Sequence, residues 1–227
     1  MQKTLLTIYT VAATVMLLSL LGCNVTNEPS SNEVTIGEQI WMSKNLNVIT
    51  FRNGDTIPEA KSEKEWKMAG EEGKPAWCHY NNDSKNAEKY GKLYNWYAIN
   101  DSRGLAPKGW HVPNNSEWDK LNNHLGDDAG TKMKSKSGWN DFEGRSGGGT
   151  NSSGFSGLPV GCRAFNGTFY GLGFECSWWS SSESAADYMR GGGPIGQAGC
   201  NLNYAYGFLG RNNSSKEAGF SVRCLRD

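Results

Sequence analysis

The chain is short of the groups that carry most enzyme chemistry. It has three histidines among 227 residues, no Cys-x-x-C pair, and no spacing of histidine with cysteine that builds a zinc site. Charge of either sign is not in excess: 23 Lys and Arg stand against 23 Asp and Glu, with no basic block. Such balance excludes nucleic acid as a partner, because binding a phosphate backbone depends on clustered cations. The glycine clusters "GGGT" and "RGGGP" are not followed by Lys-Ser, Lys-Thr or a helical pattern, so they read as turns and not as phosphate cradles. No long apolar run occurs beyond Gly22.

What is present begins with Lys3 and an apolar run from Leu5 to Leu21, the layout of a secretion signal. The competing reading is a membrane-anchoring helix, which needs roughly 20 apolar residues. This run is a little short, and only polar residues and Glu28 follow it. The junction Leu20-Leu21-Gly22-Cys23 resembles the bacterial lipobox, in which the signal is cut before a cysteine that is then acylated. Residues 1–22 are thus expected to be a lipoprotein signal peptide, and 23–33 a lipidated Cys23 with a flexible polar tether. Residues 34–227 would then form one domain, held at the cell envelope through the lipid in the outer membrane or at the cell surface. Cys78, Cys162, Cys176, Cys200 and Cys224 remain. Export implies oxidising conditions, so two bridges and one buried thiol are expected.

The pattern along the domain is α+β. Val34, Ile36, Ile40, Met42, Leu46 and Val48 alternate as in strands, and Asn53-Gly54 supplies a turn. Residues 58–75 are charged and read as a surface loop or short helix. Tyr90, Leu93, Tyr94 and Tyr97 have the spacing of one helical face, which predicts a helix over 86–100. A second helix is better marked: Asn114 with Glu117 three residues on forms a capping box, Trp118, Leu121 and Leu125 share a face, and Gly126 ends it. After Gly126, glycine, serine and asparagine dominate, which predicts short strands near 157–163, 167–172, 176–180 and 219–225 joined by long loops.

The segments "TIGEQIWMSKNLNV", "YGKLYNWYAI", "RGLAPKGWHVPNNSEWDKL", "SSGFSGLPVGCR", "WWSSSES" and "GFSVRCLRD" resemble, in order and spacing, the Fibrobacter succinogenes major paralogous domain, a family of secreted and lipid-anchored bacterial proteins. The resemblance implies a C-type-lectin-like fold, of the group that includes formylglycine-generating enzymes (sulfatase-modifying factors), with two early helices and small antiparallel sheets. It implies no general activity. The resemblance also implies a pairing of Cys78 with Cys224, leaving two of Cys162, Cys176 and Cys200 for the second bridge. Trp178 and Trp179 would send one ring inward and one outward, and Arg223 with Asp227 would close the last strand by an ion pair.

Within this setting, Trp139-Asn140-Asp141 repeats the tripeptide by which sugar-binding C-type lectins hold calcium, but it lies far upstream of Cys224 and lacks its partner triplet. Calcium is the one cofactor admitted, with Asp127, Asp128, Asp141 and Glu143 supplying hard oxygens; a solvated acidic loop is the alternative. An oxidase of the formylglycine-generating type needs two neighbouring cysteines near the C-terminus, and Cys200 and Cys224 are far apart in sequence. His111 reads as a packed, hydrogen-bonded ring. No catalytic residue is assigned. Binding remains, with Tyr170, Trp179, Tyr188, Tyr204 and Tyr206 as candidate contacts to an extracellular glycan or surface protein. A structural subunit of a surface assembly is the alternative.

Overall fold

Val34 and Ile36 face Trp41 and Gln39 across an antiparallel hairpin of Glu33–Ile36 (β1) and Gln39–Met42 (β2), so the alternation seen at the start of the domain is indeed a strand pair. The structure, a computed structural model, describes residues 32–183 and 195–227. The expected signal, the tether up to Ser31, Cys23 and Tyr188 lie outside the described residues.

Next in the chain come a helix Glu63–Glu71 (α1), a strand Trp77–Cys78 (β3), a single turn Ala87–Tyr90 (α2), a strand Leu93–Tyr94 (β4) and a second turn Trp96–Ile99 (α3). The charged stretch thus contains a true helix. Ser62 accepts from the Glu65 amide while the Glu65 carboxylate accepts from the Ser62 amide, and Trp66 is the buried anchor. The expected continuous helix over 86–100 does not form. Gly91 takes φ 75, and a Cβ there would lie 2.8 Å from the Leu46 carbonyl oxygen. The chain therefore leaves the helix at Gly91, and Leu93 and Tyr94 pair as a strand with Cys78 and Trp77. Tyr90, Leu93 and Tyr94 are buried nonetheless, through strand pairing as well as helix packing.

Trp110–His111 (β5) leads into Asn115–Leu125 (α4), which matches expectation in cap, length and face. Asn114 accepts from the Glu117 amide, Glu117 returns the bond to Asn114, and Trp118, Leu121 and Leu125 are buried before Gly126 ends the helix. A five-residue helix Ala129–Met133 (α5) follows. The remaining strands are Cys162–Arg163 (β6), Phe169–Tyr170 (β7), Glu175–Trp179 (β8), Ile195–Asn203 (β9), Gly210–Ser215 (β10) and Leu225–Arg226 (β11). β9 and β10, the longest strands, fall in a stretch read as loop, because their glycines and asparagines hide any alternation.

Among the described residues four sheets result, ordered β1-β2-β11-β5, β10-β9-β8, β3-β4 and β6-β7. With its helices this is an α+β fold of small antiparallel sheets and long loops. β8 divides the interior. Trp178 belongs to a core with Trp41, Trp118 and Phe155, in which Trp41 and Trp118 ring centres are 4.7 Å apart and Phe155 meets Trp178 edge-on at 5.3 Å. Trp179 belongs to a second core with Trp96, Phe220 and Val222, 4.6 Å from the Phe220 ring. The expected inward and outward pair is therefore corrected: both rings are fully buried, because protein covers both faces of β8. Aromatic pairs of this kind contribute about 0.5–1.5 kcal/mol each beyond the area they bury.

The expected disulfides are also corrected. All five cysteines of the domain are free, buried thiols. Cys78 sits in the Trp41 core and Cys224 in the Trp179 core, so they pack against different neighbours. Cys176 and Cys200 share one core but are offset along the ladder, Cys176 facing Leu202 and Cys200 facing Trp178, while Cys162 packs in the other. Nor does Arg223 pair with Asp227. Arg223 is buried and donates to the carbonyls of Met42 and Phe155 and to Asn45 Oδ1, and Asp227 instead meets His111 Nδ1 at 2.8 Å.

Candidate binding surface

The exposed large apolar rings are concentrated where the glycine-rich loops turn. Tyr206 and Phe208, in the turn between β9 and β10, are 55% and 54% exposed and stack at 5.2 Å with planes 25° apart. Two residues before Tyr206, Tyr204 is half-buried and edge-on to both Phe142 at 5.2 Å and Phe174 at 5.1 Å. Phe174, Leu172 and Tyr170 are exposed along the turn from β7 to β8.

Rings this exposed are held by buried polar contacts beneath them. Lys134 is buried and donates from Nζ to the carbonyls of Asn203 at 3.1 Å and Tyr206 at 3.0 Å, while lying over the Trp139 ring. Burial lowers its pKa. On the other side of the turn, the Thr131 amide donates to Gly207 O, and a Cβ on Gly130 would come within 2.4 Å of Phe208 O. α5 therefore accepts the loop only because residue 130 has no side chain. The Tyr204 amide donates to Phe174 O, tying the two aromatic turns together.

The candidates read from sequence separate accordingly. Tyr170, Tyr204 and Tyr206 belong to this surface. Trp179 does not: it is 0% exposed and donates to Tyr94 O, so no face of its ring can meet a ligand. Phe142, Phe174 and Phe208 were missed, although the alternation Tyr204, Tyr206, Phe208 was a readable signal. Lys134 gave none. Tyr170 also sits against Cys162 and Glu175; burial, followed by the Cys162 thiol, raises its phenol pKa.

The acidic candidates do not converge. Asp128 pairs with Lys132 at 2.7 Å, Asp127 is exposed beside it, and Asp141 and Glu143 project from an exposed turn closed by Phe142 and Arg145. Among the described residues no group of three or more His, Cys, Asp or Glu is arranged to hold an ion. Trp139 of the Trp-Asn-Asp tripeptide is core, donating to Ser135 Oγ and Gly157 O.

The groups that would serve as nucleophiles are held in structural roles. Burial pushes the Cys78, Cys176 and Cys224 thiols up to about 12 and raises Cys162 and Cys200 as well. Ser146 has the Gly-x-Ser-x-Gly spacing, but it lies in an irregular loop and its Oγ accepts from the Gly148 amide, without the strand-to-helix turn of a nucleophile elbow. His111 is hydrogen-bonded on both nitrogens, to Glu117 Oε1 at 2.9 Å and Asp227 Oδ1 at 2.8 Å.

Fold and surface together define a small α+β module that carries a supported row of aromatic rings on its glycine-rich turns. The chain belongs to the Fibrobacter succinogenes major domain family, which it matches over residues 34–226. No curated protein and no solved structure matches it.

Proposed function

We propose that this protein is a non-catalytic binding module of C-type-lectin-like build, displayed at the cell envelope by a lipid on Cys23, whose aromatic turns contact an extracellular glycan. The observation that carries the reading is the stacked, half-exposed Tyr206–Phe208 pair over buried Lys134. Flat rings at fixed spacing match the apolar faces of sugar rings, and supporting them from beneath lowers the ordering cost of binding. The address rests on residues 1–23, whose pattern is that of a lipoprotein signal. The small antiparallel sheets and long loops support the lectin-like reading. An oxidase role is disfavoured because Cys200 and Cys224 lie in different cores, with both thiols raised by burial.

A glycan array probed with the purified chain is the test. A specific glycan should be retained, and Tyr206→Ala with Phe208→Ala should weaken it about tenfold or more without lowering Tm, since each stacking contact contributes roughly 1 kcal/mol. Chelation of calcium should leave binding unchanged. An array blank for every sugar, together with a stoichiometric protein partner from the envelope, would replace the glycan by an assembly role.

A further inference from the structure

Beside the segment that follows β2, a cavity of about 370 Å³ has Arg223 and Asn45 in its lining and Lys44, Lys89 and Glu88 around it. Three cationic side chains therefore face it against one carboxylate. Lys44 and Lys89 are exposed and make no ion pair among the described residues; Lys89 Nζ lies 4.7 Å from the centre of the Tyr90 ring.

Arg223 is the unusual member. It is 2% exposed, yet every acceptor it meets is neutral: Nη1 donates to Phe155 O at 2.7 Å and Met42 O at 3.1 Å, and Nε and Nη2 both donate to Asn45 Oδ1. These bonds use four of the five guanidinium N–H groups, so one on Nη2 is left over. Asn45 is locked in this orientation, because its amide donates to Tyr90 O and Ser221 Oγ while its oxygen also accepts from Trp178 Nε1. Arg103, Arg211 and Arg226 each have a carboxylate partner, whereas buried Arg163, like Arg223, meets only neutral acceptors but does not line this cavity. A buried cation without an anion is expensive. The neighbouring thiols do not supply one, since burial keeps Cys176 and Cys224 protonated. Burial pulls Arg223 down to about 10, which leaves it cationic at neutral pH.

We propose that this cavity binds a compact oxyanion of the carboxylate, sulfate or phosphate class, with the Arg223 guanidinium as its floor and Lys44 and Lys89 at its mouth. The anion completes the charge of Arg223 and takes the unused N–H in a charge-assisted bond. The two lysines steer it, and Glu88 opposes it. This site shares no lining residue with the aromatic turns, so its binding is read separately from the glycan reading.

Calorimetric titration of the full chain with sodium sulfate, sodium phosphate and sodium glucuronate, against sodium chloride at matched ionic strength and against neutral glucose, tests it. Saturable binding is expected for at least one oxyanion and for neither control. Glucuronate alone would identify a carboxylate site, and sulfate or phosphate alone a tetrahedral one. Lys44→Gln with Lys89→Gln should weaken binding roughly three- to tenfold, and Glu88→Gln should strengthen it about threefold, with ligand-free Tm unchanged. All three substituted positions leave the buried arginine untouched, whose removal risks the fold. Oxyanions that bind no better than chloride, or affinities indifferent to both sets of rim substitutions, would overturn the proposal.

Discussion

At the scale of single residues, the cysteines depart most from what export chemistry suggests. A thiol has the volume of a small hydrophobe, and each of the five fills a slot in one of the two cores. With pKa values pushed up to about 12 for Cys78, Cys176 and Cys224, they are neutral and shielded from reagents. Thiol titration of the domain should accordingly find almost no reactive groups in the native state and all five after denaturation without reductant. A denatured count of three or one would restore one or two bridges. Their burial was legible from their residue type; their failure to pair was not, because pairing depends on Cα positions that sequence spacing does not give. Trp178 and Trp179 teach the same lesson, since strand alternation predicts opposite faces correctly but says nothing about whether both faces are covered.

Among the elements, α4 was readable to the residue because cap, apolar face and terminating glycine agree. The 86–100 segment was not, since Gly91 breaks a periodic pattern that strand pairing also satisfies. The β9–β10 hairpin hid behind glycine and asparagine, and its pairing with β8 is what supplies the missing strand character. The aromatic turn of that hairpin depends on its seat against α5. Gly130→Ala would drive a Cβ to 2.4 Å from Phe208 O, and the backbone must give way. We expect a loss of about 1–3 kcal/mol in stability, read from thermal unfolding, together with weakened ligand binding. Lys134→Met keeps the volume but removes the bonds to Asn203 O and Tyr206 O, and should loosen the same turn, seen as faster amide exchange at 203–208. Wild-type exchange in that variant would show that the lysine does not hold the loop.

Over the whole molecule, His111 ties three parts of the chain: β5, the start of α4 through Glu117, and the C-terminus through Asp227. Partial burial of the ring opposes protonation, but the Asp227 and Glu117 hydrogen bonds together outweigh it, and the net pKa is raised above 6.5. The stability this contributes is complete below pH 6.5, the ordinary value, and disappears as pH rises through the elevated one. The stability difference between wild type and His111→Gln should therefore shrink steadily as pH is raised from mildly acidic to mildly alkaline. His79 moves the opposite way, its pKa lowered by burial and then by Lys92, but it is common to both proteins and cancels in the difference. A difference that is flat with pH would remove the ring from any such role.

The sheet that His111 helps close places β11 between β2 and β5, with β1 at the edge, so the first and last strands are separated by a single strand and Arg226 reaches across to Glu33. Two strand spacings amount to about 10 Å, a gap that a handful of residues can bridge. The domain is thus nearly a closed ring of chain: its ends can be sewn together and the polypeptide reopened in the exposed turn at 143–146 without threading anything through either core, and any cargo fused after Asp227 emerges beside the start of β1.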